Sequence, residues 1–567
     1  MPLLDSDLDE HTPLLSTTSS DQQQQEEHAF AQTAAGDGIV RRQARGGGVW
    51  AKLGSFSFVG GRADVEDTVG RHNSVDGIAV GLSELEREGA NHDELKPVAA
   101  WVNDLYSLPS LAIIMSYFSV GVVLTFTTVP VTVYLIQELG ASSTQFAVYT
   151  IVCKLPWSFK VFFGFISDAF PICGMRRLPY LVIGWTVHIA CYVTLAFLVQ
   201  PTVEWVIGAA FVAACGYLLS DVMTDSIMVE RTKLESTKHR GTVQASGYIA
   251  RAFGSAVGST AGALVYNQAN WGWGLSIAQI MLINAVVPLA CVSPFIPYLK
   301  ETVKTSLPTA RHVWRTHWQE IWALVQKRVV WQPMTFVYIY NAMMIPNAAW
   351  NNFLIEGLKF SDFYLGAIAI AGSVTAWLGL VLYKQFYMQA NWRSVYLVTT
   401  VFNLMVNIAQ VLLILGWNKV LGIPDIILAV GDEEFLLAMQ FLPVVIMYAA
   451  ICPEGTEGTS YAMLTTLSNV ADTVALVIGD LLTEAWDTSN DSLANHEWGG
   501  MLKLTLFTSV MQLLPLLLLP LLPANKTEQH AMQRSNDSSW WGGFAFLSVT
   551  LGSIAFSMLQ PLYEIYW

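Results

Sequence analysis

The amino-acid sequence predicts an all-α polytopic membrane protein. Hydrophobic residues make up 53% of the 567 residues, and charged residues only 13%. A bilayer core ~30 Å thick is crossed by about 20 residues of helix, and uncharged stretches of that length recur from residue 105 onward. Lysine and arginine are concentrated in alternate loops. This composition excludes an ordinary soluble enzyme. The net charge of -14 also argues against a nucleic-acid partner.

The first 106 residues differ in composition from the rest of the chain. They carry 18 acidic against 8 basic residues, a net charge of -10, and are rich in Gln, Gly, Ser and Asp. Because such a segment cannot bury enough apolar surface to fold, we predict that residues 1–106 form a disordered cytosolic tail. Within it, Glu10 followed by Leu14 and Leu15 matches an acidic di-leucine sorting signal. The expected location is therefore the plasma membrane or an endosomal or vacuolar membrane.

Twelve segments after the tail are apolar enough to cross the bilayer. The long uncharged stretch 252–299 is interrupted at Asn267–Gly272, so it supplies one span and part of a second. The predicted spans are residues 110–136, 144–166, 178–200, 204–229, 242–266, 274–297, 333–355, 363–386, 394–416, 435–452, 458–483 and 501–522. A weaker thirteenth candidate covers residues 542–559, which leaves the side of the C-terminus open.

The longest polar loop, residues 298–332, divides the spans six to six. Tryptophan and aliphatic residues recur in it at helical spacing among arginines and lysines, which predicts an amphipathic helix on the membrane surface. We therefore expect a six-helix half at 107–297 and a second at 333–523. A polar linker and the possible thirteenth span occupy 524–567. A duplicated transporter places its site near mid-membrane between the halves.

The distribution of basic residues predicts the orientation of the spans. Loops on one side hold fourteen lysines and arginines, whereas loops on the other side hold only Lys359 and Lys419. Basic loops remain in the cytosol, so the richer side and the N-terminal tail are predicted to be cytosolic. The fourteen are Arg176, Arg177, Arg231, Lys233, Lys238, Arg240, Lys300, Lys304, Arg311, Arg315, Lys327, Arg328, Lys384 and Arg393.

The loop between the second and third spans carries a recognisable pattern. It reads GFISDAFPICGMRR and contains Gly164, Asp168, Gly174, Arg176 and Arg177. This GxxxD…GxRR spacing resembles the motif of the major facilitator superfamily at the same loop. The glycines permit close helix approach, and the aspartate can bond neighbouring helix ends or arginines. We expect these residues to form a conformational latch.

A wider set of motifs resembles the folate-biopterin transporter family, a branch of the major facilitators. The motifs are LPWSFK at 155–160, SDVMTDSIMVE at 220–230, QASGYIAR at 244–251 and CPEGTEGT at 452–459. The resemblance covers roughly residues 107–525. It implies a major-facilitator fold of two six-helix halves and a secondary active transporter of folates or pterins that alternates access. By analogy with the superfamily, Glu454 and Glu457 are expected to join the latch.

Five charged residues fall inside the predicted spans of the first half: Lys154, Lys160, Asp221, Asp225 and Arg251. Charges at membrane depth are costly and usually functional. Asp221 and Arg251 have matching depths, which makes an ion pair between them plausible, and Asp225 lies one helical turn from Asp221. Three cations against two anions favour an anionic substrate. The alternative is a charge network that only holds the helices together.

These residue types suit a pterin substrate and coupling to protons. A pterin ring presents an amino group and a ring N–H side by side, and one carboxylate can accept both. An aspartate near a lysine or arginine can also exchange its proton for an ion pair, which would couple transport to protons. In the second half, Asp472 lies inside the eleventh span, where an unpaired carboxylate needs a partner or a proton. We include it in the substrate- and ion-binding set.

Other activities have little support in the sequence. It contains no GxxxxGK phosphate-binding motif, no His-rich box and no nucleophile constellation, so we expect neither an enzyme nor an ATP-driven pump. The six cysteines are too scattered for a metal site, and no cofactor is expected. We predict a monomer whose partners are the bilayer, the substrate and protons. Two alternatives remain: a carrier of another organic solute, such as a nucleoside-like cofactor, and a non-transporting receptor or scaffold.

Overall fold

A computed structural model describes residues 107–141, 143–198, 201–233, 235, 240–266, 272–299, 301, 310–360, 362–429, 433–453 and 455–566. The predicted tail, with its di-leucine pattern, lies outside the described residues. So does Glu454. Every regular element within the described ranges is helical, as the sequence predicts. The structure is therefore that of an all-α polytopic membrane protein.

The first half consists of seven helices separated by short turns. They are α1 Leu108–Phe126, α2 Ser143–Ser158, α3 Lys160–Ala169, α4 Leu178–Phe197, α5 Val203–Thr232, α6 Thr242–Val265 and α7 Ile277–Cys291. Short helical segments at Thr128–Val133 and Tyr134–Glu138 extend α1, and a 3-10 turn at Ser293–Tyr298 extends α7. Together α2 and α3 form the predicted second span, bent by 41° at Phe159.

The connecting loop and the second half supply the remaining helices. They are α8 Ala310–Val325, α9 Arg328–Met343, α10 Asp362–Leu382, α11 Trp392–Ile414, α12 Glu433–Ile451, α13 Glu457–Ala485, α14 Gly499–Met511, α15 Lys526–Ser535 and α16 Trp540–Tyr566. Shorter segments lie at Trp350–Asn352, Phe353–Gly357, Tyr383–Tyr387, Trp417–Leu421, Asp425–Ala429, Asn490–Ala494 and Leu514–Leu521. Helix α8 is amphipathic: Leu324 and Val325 are buried, while Trp318 is exposed.

Fewer helices than the twelve predicted are long and apolar enough to cross a membrane. Ten helices among the described residues qualify, or eleven if the bent α2–α3 pair counts as one span. The predicted fifth span, α6, is a continuous 24-residue helix, but Gln244, Arg251 and many Gly and Ser residues make it less apolar. The predicted seventh span is broken, because α9 ends at Met343 and helix resumes only at Trp350. Pro346 lies in the break.

Helix α6 packs unusually close to α1. A methyl group at Gly254, Gly258 or Gly262 would collide with the backbone of α1; at Gly254 it would strike the carbonyl of Phe118. This line of small residues lets the two backbones meet, as at many membrane helix interfaces. It fixes α6, and Arg251 on it, against the centre of the first half.

The C-terminal segment contacts both halves. Helix α15 reaches the first half where Lys526 donates to the carbonyl of Arg240 (2.7 Å), and it reaches α12 where Gln529 donates to the carbonyl of Met447 (2.9 Å). Helix α16 qualifies as a membrane span, which supports the predicted thirteenth candidate. It packs against α9, α13 and α2.

One end of the bundle carries the basic loops. We call it the basic face and define it by residues 170–177, 233, 235, 240–241, 327–328 and 384–393. It is the end at which the latch motif lies.

Candidate functional site

Four of the predicted site residues form one buried ion cluster in the first half. Lys160 on α3 donates to Asp221 (2.9 Å) and Asp225 (2.7 Å), both on α5. Arg251 on α6 pairs with Asp221 at 3.2 Å, which is the pair that the matching depths predict. The two aspartates lie four residues apart and share a helix face, so one lysine can contact both. We call these four residues the charge cluster.

Tyrosines complete the hydrogen bonding of the charge cluster and connect it to the second half. Tyr117 donates to Asp225 at 2.6 Å, and Tyr248 donates to the same oxygen at 3.2 Å. The Tyr248 hydroxyl also contacts the hydroxyl of Tyr461 at 2.9 Å, and Gln244 donates to Tyr461 at 2.7 Å. Since Tyr461 lies on α13, these hydrogen bonds link the charge cluster to the second half.

The charge cluster is neutral and nearly sealed. The side chains of Asp221, Asp225 and Lys160 are 0%, 1% and 3% exposed, whereas Arg251 is 18% exposed. The indole ring of Trp157 lies 5.5 Å from the Lys160 ammonium and 5.2 Å from the Arg251 guanidinium. Both are cation–π distances. Arg251 is thus the member of the cluster best placed to meet a solute.

Lys154 lies outside the charge cluster. It is exposed on α2, and its charge acts on Asp480 of α13. Within the charge cluster two cations face two anions, so the third cation counted from the sequence lies elsewhere. The place of Lys154 in the substrate- and ion-binding set stays a prediction.

Asp472 lies apart from the charge cluster, on α13 in the second half. Its side chain is exposed, and its carboxylate interacts with the amide of Asn341 on α9. Tyr461, Ser468 and Asp472 are spaced seven and four residues apart, so they share one face of α13. Because Tyr461 contacts the first half, Asp472 faces the space between the halves, about 16 Å further along the helix.

The motif residues between the second and third predicted spans contact the second half, and their role as a conformational latch stays a prediction. Arg177 pairs with Asp168 at 2.6 Å and with Glu230 at 3.1 Å. The other oxygen of Asp168 accepts from the backbone N–H (2.6 Å) and the hydroxyl (2.7 Å) of Thr459 at the start of α13. Gly164 lies so close to Gly458 that a methyl group would collide with its carbonyl.

Glu457 is the acidic centre of the latch on the second half. Lys233 donates to it at 2.9 Å, Arg177 lies at 3.6 Å, and Arg176 lies at 3.8 Å. Arg176 also donates to the carbonyl of Gly455 at 2.9 Å. Gly174 has a φ of +79° in the turn that presents the two arginines, a conformation that favours glycine. These contacts close the basic face.

Several contacting residues were missing from the predicted site. Glu230 and Thr459 belong to motifs that the sequence displays, but neither lies deep enough in a span to attract attention by its charge. Tyr117, Tyr248 and Tyr461 look like ordinary core aromatics in the sequence. A tyrosine spaced to reach a buried aspartate is a usable signal, because a buried carboxylate needs several donors.

The described residues contain no group of three or more His, Cys, Asp or Glu side chains that could hold a metal ion. The charge cluster itself offers two carboxylates, two cations, tyrosine hydroxyls and an indole ring. Such a set can bind a planar, hydrogen-bonding organic solute.

Comparison with known proteins finds similarity to one family and to several named transporters. The BT1 family profile matches residues 120–538. The folate-biopterin transporter of Synechocystis is 28% identical, with 73% of this chain and 81% of the relative aligned. Probable folate-biopterin transporter 2 of Arabidopsis thaliana is 24% identical (68% and 77% aligned), and folate transporter 1 of Plasmodium falciparum is 23% identical (68% and 73%).

A solved structure with a similar fold is that of the human organic anion transporter TETRAN. It aligns with 72% of this chain and 98% of its own length, at a TM-score of 0.51 and 12% identity. At that identity the likeness bears on the fold alone. The arrangement of helices is that of a major-facilitator transporter.

Proposed function

This chain belongs to the BT1 family, and from that premise we propose that it is a proton-coupled secondary transporter of folates or pterins working by alternating access. The observation that carries the proposal is the charge cluster, in which Lys160, Asp221 and Arg251 are joined at membrane depth. Relatives named as folate or folate-biopterin transporters support the class of substrate. We also propose that the protein functions as a monomer.

The partial exposure of Arg251 supports its role in binding. A guanidinium that keeps one face free can bind a substrate carboxylate while the other face stays on Asp221. Trp157 lies beside it and offers an aromatic surface to a planar ring. Asp221 or Asp225 would accept from the pterin amino group once Lys160 shifts toward one of them.

The latch supports a rocking motion of the two halves. Contacts of Asp168, Arg177 and Glu457 hold the two halves together at the basic face, which supports an approach of the substrate to the charge cluster from the opposite face. Opening the basic face requires these contacts to break together. Interfaces of this kind switch between two packings rather than deform gradually.

We propose that the basic face is cytosolic, because basic loops are retained there. The N-terminal tail would then be cytosolic as well. For the membrane in which the protein resides we keep both candidates, the plasma membrane and an endosomal or vacuolar membrane. The location of a fluorescent fusion of the protein, with and without Leu14→Ala and Leu15→Ala, separates the two membranes. The protein changes location only if the removed di-leucine pattern is a working sorting signal.

Uptake of labelled folate and biopterin into transport-deficient cells, at two external pH values, tests the proposal. Wild type is expected to accumulate a labelled substrate, and more at the lower external pH. Asp221→Asn and Arg251→Ala are expected to abolish uptake at unchanged surface amount. Lys419→Ala, which removes an exposed cation, is the matched control. Normal transport by both cluster variants would overturn the role of the cluster.

The same assay separates the alternatives. If labelled folate does not enter but another labelled organic solute, such as a nucleoside-like cofactor, is taken up, the protein is a carrier of that other solute. If no organic solute moves in either direction, a receptor or scaffold is the better description. Competition by excess unlabelled pterin against folate uptake would place both substrates at one site.

A further inference from the structure

Asp472 contacts no basic side chain among the described residues, unlike the two aspartates of the charge cluster. Asp221 and Asp225 are each held by Lys160, and Asp221 also by Arg251. No ion pair of Asp472 occurs in the part of the chain that the structure describes, where its partner is the neutral amide of Asn341. Its charge is thus uncompensated in its surroundings.

A carboxylate in the middle of a membrane helix is costly in its charged form unless a cation compensates its charge. A proton is the smallest ligand that removes this cost, because it neutralises the group without requiring space. The charge cluster has no such need, since its aspartates are already matched by cations.

The neighbours of Asp472 are polar but uncharged. Tyr396 on α11 and Tyr448 on α12 interact electrostatically with it, and Asn341 faces it from α9. Tyr448 bonds to Ser468, one turn before Asp472 on its own helix. Lys154 on α2 acts on Asp480, two turns further along α13, and no basic group acts on Asp472 among the described residues. Protonation is therefore not opposed by a neighbouring cation.

The break in α9 lies close to Asp472. Helix α9 ends at Met343, two residues after Asn341, and Gly479 of α13 packs against the carbonyl of Pro346. Broken helices release backbone carbonyls from helical hydrogen bonds and often line ion pathways in transporters. The side chain of Asp472 is itself exposed in the space between the halves. Water and protons can therefore reach it.

We propose that Asp472 is the proton-binding residue of the transport cycle, and that the charge cluster binds substrate without being the proton carrier. The inference rests on the proposed function. In each cycle the carboxylate takes one proton from the side opposite the basic face and becomes a neutral acid. As the halves rock with substrate bound, the protonated carboxyl group becomes accessible from the basic face. It releases the proton when the basic face opens.

Asp472→Asn is the variant that tests the proposal in reconstituted vesicles. An amide mimics the neutral acid, so this variant should exchange internal for external labelled substrate as wild type does. It should lose accumulation driven by a pH gradient. Asp480→Asn, on the same helix, is the matched control and should keep both activities. Gradient-driven accumulation by Asp472→Asn would overturn the assignment while leaving the proposed function intact.

Chemical labelling gives a readout that does not depend on transport. Dicyclohexylcarbodiimide adds to protonated carboxyl groups in apolar surroundings, and mass spectrometry identifies the modified residue. In the full-length protein, Asp472 should be labelled at low pH and progressively less as the pH rises, whereas Asp221 and Asp225 should stay unlabelled. Labelling of the cluster aspartates in place of Asp472 would overturn the inference. If wild type moves no folate or pterin, the proposed function fails, and this labelling alone decides whether Asp472 binds the proton.

Discussion

Asp168 of the first half caps the helix of the second half that begins beside Thr459. One carboxylate oxygen accepts both the backbone N–H and the hydroxyl of Thr459, at 2.6 and 2.7 Å. The other oxygen forms an ion pair with Arg177 at 2.6 Å. A single buried carboxylate thus joins the end of α3 in one half to a helix N-terminus of the other, where negative charge is favoured. The closed basic face depends on this contact.

Replacing Asp168 with asparagine should open the basic face. The amide cannot pair with Arg177, and breaking a buried ion pair costs about 3–5 kcal/mol. Cys452, which is buried next to the latch, reports the opening. We expect maleimide to label Cys452 at least tenfold faster in Asp168→Asn, since tenfold corresponds to only ~1.4 kcal/mol. Cys173 is exposed and serves as the internal reference. Equal labelling of Cys452 in both proteins would contradict the latch.

A methyl group at Gly164 should prevent closure altogether. In the closed form it would collide with the carbonyl of Gly458, which belongs to a helix backbone and cannot rotate away. Gly164→Ala should therefore fold but hold the basic face open and lose uptake. Gly208→Ala is the control, because no atom lies within 4 Å of the methyl position. Normal uptake by Gly164→Ala would show that transport does not pass through this closed form.

Removing Lys160 should destabilise the protein more than removing Arg251. Lys160→Met leaves Asp225 without its cation and Asp221 with only one, all inside the protein. Loss of one partner from a buried pair costs about 3–5 kcal/mol. Arg251→Gln removes a single, partly exposed contact. Thermal unfolding in detergent should show a clearly larger fall of Tm for Lys160→Met. A larger fall of Tm for Arg251→Gln would contradict the expectation that Lys160 stabilises the folded protein more than Arg251 does.

The pH dependence of stability should have a component from Glu235, which lies outside the membrane spans. Burial raises the pKa of this carboxyl from 4.5 to about 7, although it accepts from the N–H groups of Val243 and Gly241. The folded state therefore holds a proton that the unfolded state has lost. Stability from this group is greatest below pH 4.5 and decreases as the pH rises toward 7.

Glu235→Gln should remove that component. The amide oxygen can still accept one of the two N–H groups, but it never becomes charged. The difference in Tm between pH 5 and pH 8 should be smaller in the variant than in wild type. An unchanged difference would mean that another group sets the dependence.

The predictability of the site differs from residue to residue for physical reasons. Asp221 and Arg251 were predictable because each lies on a straight helix, so counting residues from the membrane boundary gives the depth. Lys154 lies six residues before Lys160, which is not a whole number of turns at about 3.6 residues per turn, so the two side chains point in different directions and depth alone does not bring them together. The role of Tyr461 was hidden because contacts between the halves depend on how they pack, which no local pattern records.

The fold was predictable to a similar extent. Segments such as α4 and α11 appear as uniform apolar runs, and their observed bounds lie close to the predicted ones. The break after Met343 was not predicted, although Pro346 and the surrounding asparagines are its local cause. Proline lacks an N–H and prevents the preceding turn from continuing the helix.

Helices α1 and α16 begin at the same end of the bundle. Helix α1 starts at the basic face, where Arg231 bonds Ser110, and α16 starts there too, where Arg328 donates its N–H to the carbonyl of Asp537. Its 27 residues extend about 40 Å, which is long enough to cross a bilayer core. We therefore expect a reporter domain fused after α16 to lie in the compartment opposite to one fused before α1.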